Sequence, residues 1–512
     1  MKELGVAEFN DHDGLFWMAF EDFLAHFDCL NVCYIQPGLG VPSQYSTDAE
    51  GNACAGQWVD QRRKGTFRLR GTGSSDADEA SSGPDGAGND VINNSMYILT
   101  VPEFEGSGGG ATCRTWVSLH QQDERVESAK PYLDMGVTVL RVLDDSWYAD
   151  EDAIDYRDMA AAAAVQPPSM ELAGATGVSV DRQTQLKLDL TPGRYLVVPH
   201  TTGCKFKMNE TQSKLVIEEA VSAAGAADEE ELLVSNPALA QKHGIVTSLI
   251  TQAPCQWVDD SDWYMSQDGA GAWERDTWFV PAADRAFREV FHRVDEDMDN
   301  VLNWVEFNRY HQLLYSCDAD ESEFEWLLTV LDSVKGGLTP DGFVQYCWYM
   351  LQRYGGPEDG EKALWAHLHF MGYDRRLELN RARSFVMSVH SAFQTSLLQV
   401  PFCAQVYEEA LERPVKELGE KRVIPGEGGE LVVYTHKAGY WGVTLAVENK
   451  YAQDMHVTVD CSDSDNLVSS AGALDSTMCV PAGETKICHH LLPGKQSGWS
   501  WAYSMAWKTV QE

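Results

Sequence analysis

The chain has 512 residues, enough for several domains and more than one hydrophobic core. Its 78 acidic residues face 39 Lys and Arg, for a formal net charge of −39 and a pI of about 4.6. That balance disfavours nucleic-acid phosphates and anionic membrane surfaces as direct partners, and suits cations or basic proteins.

The 12 cysteines are scattered, with no CxxC pair, so free thiols in a reducing compartment are expected. No apolar run approaches the roughly 20 residues of a bilayer span, and "MKELGVAEFNDHDG" lacks the apolar core of a signal peptide. The expected location is intracellular, in the cytoplasm.

Residues 13 to 35, "DGLFWMAFEDFLAHFDCLNVCYI", open with an aromatic cluster and continue as a helix whose Phe20, Phe23, Leu24 and Phe27 share one face. A buried strand, "LNVCYI", is expected next. The segment 1–45 is too short to fold alone and must pack on something else. From 46 to 220 the texture is β. "TFRLR", "SMYILTV", "CRTWVSLHQ", "TVLRVL", "QLKLDL" and "RYLVVPH" are short, partly alternating runs between turn-rich loops, as in an antiparallel β-sandwich. Within it, 71–90 has almost nothing to bury and is expected to be disordered, and the acidic loop 144–155 lacks an alternating ligand pattern and reads as solvated. Residues 221–280 read as a linker region that opens with "VSAAGAADEEEL".

The helical region expected at 281–413 holds the most specific signal. "DEDMDNVLNWVE", 295–306, places Asp295, Asp297 and Asp299 at positions one, three and five of a twelve-residue loop. Oxygen ligands at alternate positions let a short loop wrap one hard cation, and calcium is the ion this spacing fits. Val301 would add a backbone carbonyl, Asn303 a water-mediated contact, and Glu306 both carboxylate oxygens. Asn300 stands at the sixth position, where glycine is usual; Asn tolerates the positive φ required there. Phe287, Val290, Phe291 and Val294 before the loop, and Phe307, Tyr310, Leu313 and Leu314 after it, give each flanking helix an apolar face. A merely solvated acidic run would lack that double bracket.

"LDSVKGGLTPDGF", 331–343, keeps the turn, the apolar eighth residue and the following aromatic of such a loop. It has Leu331, Val334, Lys335 and Gly342 where oxygen ligands would be wanted, so a structural mate without metal is expected. "LWAHLHFMGYDRRLELNRARSFVMSVH" is expected to continue the helices. From 426 to 512 the pattern returns to β, with "GELVVYTH", "WGVTLAVEN", "MHVTVDCS" and "TKICHHLL", ending on an aromatic strand. Cys29 with Cys33, and Cys488-His489-His490, lack a second matching ligand pair, so buried thiols and a surface His pair are expected. The fold class is multidomain α+β: an antiparallel β-sandwich, an EF-hand helical region and a C-terminal β-sandwich.

Three stretches resemble one family. Asp13, Gly14, Phe16, Trp17, Met18, Phe20, Glu21, Asp22 and Phe23 resemble DGxFWMxFEDF, the closing motif of the calpain protease core. "LTPGRYLVVPHT", Leu190 to Thr201, is similar to the β-sandwich motif that follows that core, and the helix-loop-helix region sits where classical calpains carry theirs. Tyr440 to Ser470 is similar to the C-terminal domain of the small-optic-lobes calpains through Trp441, Gly442, Val447, Glu448, Asn449, Asp460 and Cys461. In calpains the nucleophilic Cys, its His and the orienting Asn all precede the DGxFWM motif, and here twelve residues do.

His12 among those twelve has no upstream partner, and Cys29 and Cys33 fall on the expected buried strand, so no catalytic residue is assigned. The resemblance implies a calcium-binding regulatory portion of a calcium-dependent cysteine endopeptidase, inactive alone. The alternatives are a stand-alone calcium-responsive adaptor, or docking modules on a scaffold. The implied partner is a calpain catalytic domain or another protein; calcium could in addition bridge the acidic surface to an anionic membrane, a contact that no motif supports. The aromatic face of 13–35, with Trp17, would be covered by the sandwich or by that catalytic domain.

Overall fold

The computed structural model describes residues 59–70, 91–103, 112–122, 132–143, 169–250, 279–315, 317–353, 357–400, 402–437, 442–494 and 498–509. The expected core remnant at 1–45, the insertion at 71–90 and the acidic loop at 144–155 lie outside them. Strands β1 (Val59–Arg70), β2 (Val91–Asn94), β3 (Met96–Val101), β4 (Cys113–His120), β5 (Gly136–Val142), β6 (Met170–Ala175), β7 (Gln183–Leu190) and β8 (Gly193–His200) come first. All six runs read as strands from the sequence are found among them.

Helices α1 (Cys204–Ala224), α2 (Glu229–Ser235) and α3 (Pro237–Lys242) follow, so the span expected as the end of a sandwich and a linker is partly helical. Next come α4 (Pro281–Val294), α5 (Trp304–Tyr315), α6 (Glu321–Val330), the short strands β9 (Ser333–Val334) and β10 (Gly337–Leu338), α7 (Pro340–Arg353) and α8 (Pro357–Phe370). The chain then returns to strand as β11 (Ala382–Ser391) and β12 (Ser396–Val400). Helix α9 (Ala404–Leu418) leads into β13 (Glu420–Gly426), β14 (Gly429–Lys437), β15 (Val443–Asn449), β16 (Met455–Asp460), β17 (Leu467–Ser469), β18 (Asp475–Val480), β19 (Thr485–Pro493) and β20 (Ser504–Thr509).

Strands β11 and β12 correct the expectation that the helices run to 413. "ARSFVMSVHS" buries Phe385, Met387 and Val389 at every second residue, which is strand periodicity. β11 lies between β1 and β4, antiparallel to both, with Val386 opposite Lys64 and Val389 opposite Val117. β12 pairs with β3. The first sandwich therefore has sheets ordered β2-β1-β11-β4-β7 and β12-β3-β8-β5-β6, and the helices from α1 to α8 are inserted between its strands. Phe67, Val117, Leu188, Phe385 and Met387 from one sheet meet Tyr97, Leu99, Val137 and Val197 from the other in one core. Gly65 is needed where the sheets close, because a Cβ there would sit 2.3 Å from the Phe385 ring.

The second sheet is apolar on both faces. Met96, Ile98, Leu140, Leu196 and Val198 point away from the first core and bury Val406, Tyr407 and Ala410 of α9. The same helix turns Val415 onto Val432, Tyr434 and Ala446 of a second sandwich. That sandwich packs sheet β13-β14-β15-β19-β17 on β18-β16-β20 around a core that includes Leu431, Leu445, Val457 and Val480. Among the described residues no helix is long and apolar enough to cross a membrane.

Beside α9, a cavity of about 30 Å³, large enough for a water molecule, is lined by Thr138, His200, Thr202, His436, Thr444 and His490. Burial, reinforced by the neighbouring histidines, lowers His200 to about 3 and His490 to about 4, and burial lowers His436 as well. These groups fold neutral, while the unfolded chain protonates them below its ordinary histidine pKa. Their stability contribution is complete above about 6.5 and is lost as pH falls toward 4, up to about 2 kcal/mol each for His200 and His490 by pH 5. The melting temperature should fall between pH 7 and pH 5, and His200→Gln should flatten that dependence; an equal slope in the variant counts against this origin.

Candidate metal centre

The centre is built by two helices with apolar inner faces. Phe287, Val290 and Phe291 of α4 are buried, as are Phe307 and Tyr310 of α5, while Val294, Leu313 and Leu314 are half-buried against the same cluster. The loop between them turns through two left-handed residues, Met298 at φ 63° and Asn300 at φ 61°. Asn300 thus adopts the conformation that the sequence required of it, and Met298 was not anticipated. Its cost is about 1–2 kcal/mol, so the packed helices hold the loop in shape.

The three aspartates come together. One carboxylate oxygen each from Asp295, Asp297 and Asp299 lie within 4.8 Å of one another. Asp297 Oδ1 accepts from the Asp299 amide at 3.1 Å, and Asp299 Oδ1 from the Val301 amide at 2.8 Å, which fixes both side chains over the loop. Asp295 is 1% exposed; its Oδ2 accepts from the Asn300 amide at 3.3 Å, and its buried Oδ1 has no hydrogen-bond partner. An ionised oxygen without a partner is costly, and a hard cation satisfies it.

The other predicted ligands are arranged differently. Glu306 is buried, and its Oε1 accepts from the amides of Glu296 at 2.7 Å and Asp297 at 3.3 Å, its Oε2 from Asn303 at 3.1 Å. Its carboxylate therefore closes the loop through its amides and stands apart from the three aspartates. Asn303 Oδ1 accepts from Val305 and Glu306 amides at 2.9 and 3.2 Å and caps α5. Val301 is buried against Gly337, where a Cβ would lie 2.4 Å from the valine side chain. Burial raises the carboxyl pKa of both Asp295 and Glu306. An all-oxygen donor set with an orphaned buried carboxylate oxygen fits calcium, which Asp295, Asp297 and Asp299 would hold.

The mate at 331–343 is a tight hairpin. Lys335 and Gly336 both have positive φ, 53° and 81°, and join β9 to β10. Leu302 and Leu338 exchange both backbone hydrogen bonds, at 2.8 and 3.0 Å, and tie the hairpin to the acidic loop. Gly342 occupies the position equivalent to Glu306, and a Cβ there would sit 1.9 Å from the Asp332 carbonyl oxygen. The backbone itself fills the space that a twelfth-position carboxylate would need. In the third region, Asp374 accepts from the amides of Arg376 and Glu378 at 2.9 Å each, from Asn380 at 2.7 Å and from the Ser213 hydroxyl of α1, so both of its oxygens are already engaged.

Sequence reasoning missed Lys64. From β1 its ammonium donates to the carbonyl oxygens of His292 and, at 2.9 Å, Asp295. Burial lowers its pKa, and the carboxylates of Asp295, Glu306 and Asp297 oppose that shift. No local pattern marks a residue so distant in the chain.

The thiols of Cys113, Cys204, Cys347, Cys461 and Cys488 are pushed up by burial, Cys461 to about 11 and Cys488 to about 12. Cys29 and Cys33 lie outside the described residues. The expected surface His pair is corrected: His489 is fully buried between Ser469 at 2.7 Å and Ser476 at 2.9 Å, and His490 lines the cavity beside α9.

Fold and site define a protein of two antiparallel sandwiches with an inserted helix-loop-helix region that presents clustered acidic oxygens. Residues 415–511, which contain the second sandwich, match the family model described as Calpain-D-like, C-terminal domain. Over 226 residues the chain is 25% identical to EF-hand calcium-binding domain-containing protein 7 of Mus musculus, covering 43% of this chain and 35% of that protein. It is 24% identical to Calpain-B of Drosophila melanogaster over 196 residues, 37% of this chain and 18% of the other. Calpain-14 of Homo sapiens is 27% identical over 192 residues, 37% of this chain and 24% of the other. The chain spans between 18% and 35% of the length of these curated relatives. Its residues 415–511 are thus similar to a calpain-type C-terminal domain.

The left-handed turn gives a direct test of the loop. Asn300→Gly should leave the thermal midpoint unchanged or slightly raised, whereas Asn300→Val should cost about 1–2 kcal/mol in urea unfolding because a β-branched residue resists positive φ.

Proposed function

We propose that the chain is the calcium-binding regulatory portion of a calpain-like, calcium-dependent cysteine endopeptidase, with the helical insert acting as an EF-hand region. The observation that carries this reading is the unpartnered, buried Asp295 Oδ1 beside the carboxylates of Asp297 and Asp299. Calcium is held by Asp295, Asp297, Asp299, the Val301 carbonyl, Asn303 and Glu306. To reach the ion Glu306 would have to release the amides of Glu296, Asp297 and Asn303 that its oxygens now accept from. Peptide hydrolysis belongs to a catalytic domain that supplies Cys, His and Asn, residues to which this reading assigns no counterpart among the 512. Residues 13–35 dock that domain. A second reading, a calcium-responsive adaptor without protease activity, draws on the similarity to a relative whose name speaks of EF-hand calcium binding.

Calorimetry should find one calcium ion per chain with an affinity between about 10⁻⁷ and 10⁻⁵ M, at the weak end because of the Asn300 turn. Glu306→Gln and Asp295→Asn should remove the heat, and calcium at about 100 times its dissociation constant should add about 2.7 kcal/mol of stability. Binding should weaken as pH falls, and sooner than ordinary carboxyls would make it, since protons compete for the two carboxyls that burial raises. Unchanged binding in Glu306→Gln would refute the assignment. Hydrolysis by the purified chain would refute its inactivity, and genomic sequence upstream encoding an in-frame Cys, His and Asn core separates the protease portion from the adaptor.

A further inference from the structure

We propose that Lys64 is a built-in counter-charge to the acidic loop, which weakens the loop for a divalent cation and sets cation binding against the contact between β1 and α4. This deepens the calcium reading above and rests on it. Lys64 reaches across from the first sandwich to the carbonyl oxygens of His292 and Asp295, in the last turn of α4 and at its C-terminal cap. Those oxygens carry the partial negative charge of the helix end. The negative charge of Asp295, Glu306 and Asp297 favours the charged form of the same ammonium.

The origin of the side chain is fixed. The Tyr97 hydroxyl donates to the Lys64 carbonyl at 3.2 Å, and the adjacent Gly65 is packed under Phe385 and Tyr97. Asp295 belongs to both arrangements: its backbone oxygen accepts from Lys64, and its side chain faces Asp297 and Asp299. A single positive charge is therefore already present where a divalent cation would bring two more. The incoming ion neutralises the field that holds the ammonium and repels it, so binding loosens the contact. By linkage, the contact reduces affinity by the same factor. Charge at this position, rather than the length of the stem, sets the effect.

The test is calorimetric titration of the full chain with calcium chloride, alongside Lys64→Met and Lys64→Arg. Lys64→Met should bind about tenfold more tightly, as removal of a nearby like charge requires, and Lys64→Arg should keep the parent affinity. In the parent, calcium should raise the rate at which the Lys64 amine is reductively methylated, read by peptide mass spectrometry. A folded Lys64→Met that binds with parent affinity or more weakly overturns the proposal, as does a methylation rate indifferent to calcium. If the parent and both variants give no heat, the calcium reading itself is overturned and this inference falls with it.

Discussion

The architecture depends on one pairing, that of β11 between β1 and β4. A central strand forms ladders on both sides, and here both partners come from residues far earlier in the chain. Because β11 begins soon after α8 ends, the helical insert is tethered at both ends to the same sandwich. Leu69 donates to the Arg381 carbonyl at 2.7 Å, and Arg381 in turn donates to the Gly372 carbonyl at 3.2 Å, so the end of the insert is hydrogen-bonded to β1. Arg293 of α4 reaches the Met371 carbonyl at 2.8 Å, and Arg68 lies 4.9 Å over the Phe370 ring. Tethering of this kind is what brings β1, and Lys64 with it, to the end of α4. An insert held at one end would have no such fixed neighbour.

Helix α9 does for the two sandwiches what β11 does for the insert. It is apolar on two sides, with Val406, Tyr407 and Ala410 on the first sandwich and Val415 on the second. Its polar residues add Lys416 to Glu448 at 3.2 Å, while Glu408 accepts from Lys486 at 3.1 Å. Partly exposed pairs of this sort contribute little each, so the apolar burial dominates the joint. The histidine-lined cavity sits beside this helix. A polar, histidine-lined cavity at an otherwise apolar joint leaves that joint sensitive to protonation.

What the sequence made legible follows from how local each signal is. The six early strand runs and the C-terminal ones were readable because alternation is complete within a few residues. The acidic loop was readable because its oxygens recur at fixed spacing between two amphipathic stretches. "ARSFVMSVHS" was misread because it follows a long helical run, and because its partners, Arg63 and Val117 among them, are distant in sequence. The His489 and His490 pair was placed on the surface because polarity suggested solvent, whereas Ser469, Ser476 and Thr444 supply buried partners. Lys64 was invisible for a related reason: its role arises from a contact between two elements, and no spacing rule reports on such a contact.

The hairpin mate constrains what an ion in the acidic loop could move. Leu302 and Leu338 are joined by two backbone hydrogen bonds, and Gly342 is locked against the Asp332 carbonyl. The mate has a turn of two left-handed residues and no room for a twelfth-position side chain, so it cannot close in step with the acidic loop. Displacement arising from Glu306 would then be resisted on the side of β9 and β10, where the backbone is bonded. On the other side the loop is held by a lysine side chain, with four rotatable bonds and no ladder behind its ammonium. The softer of the two restraints yields first, which directs the response toward β1 and the first sandwich.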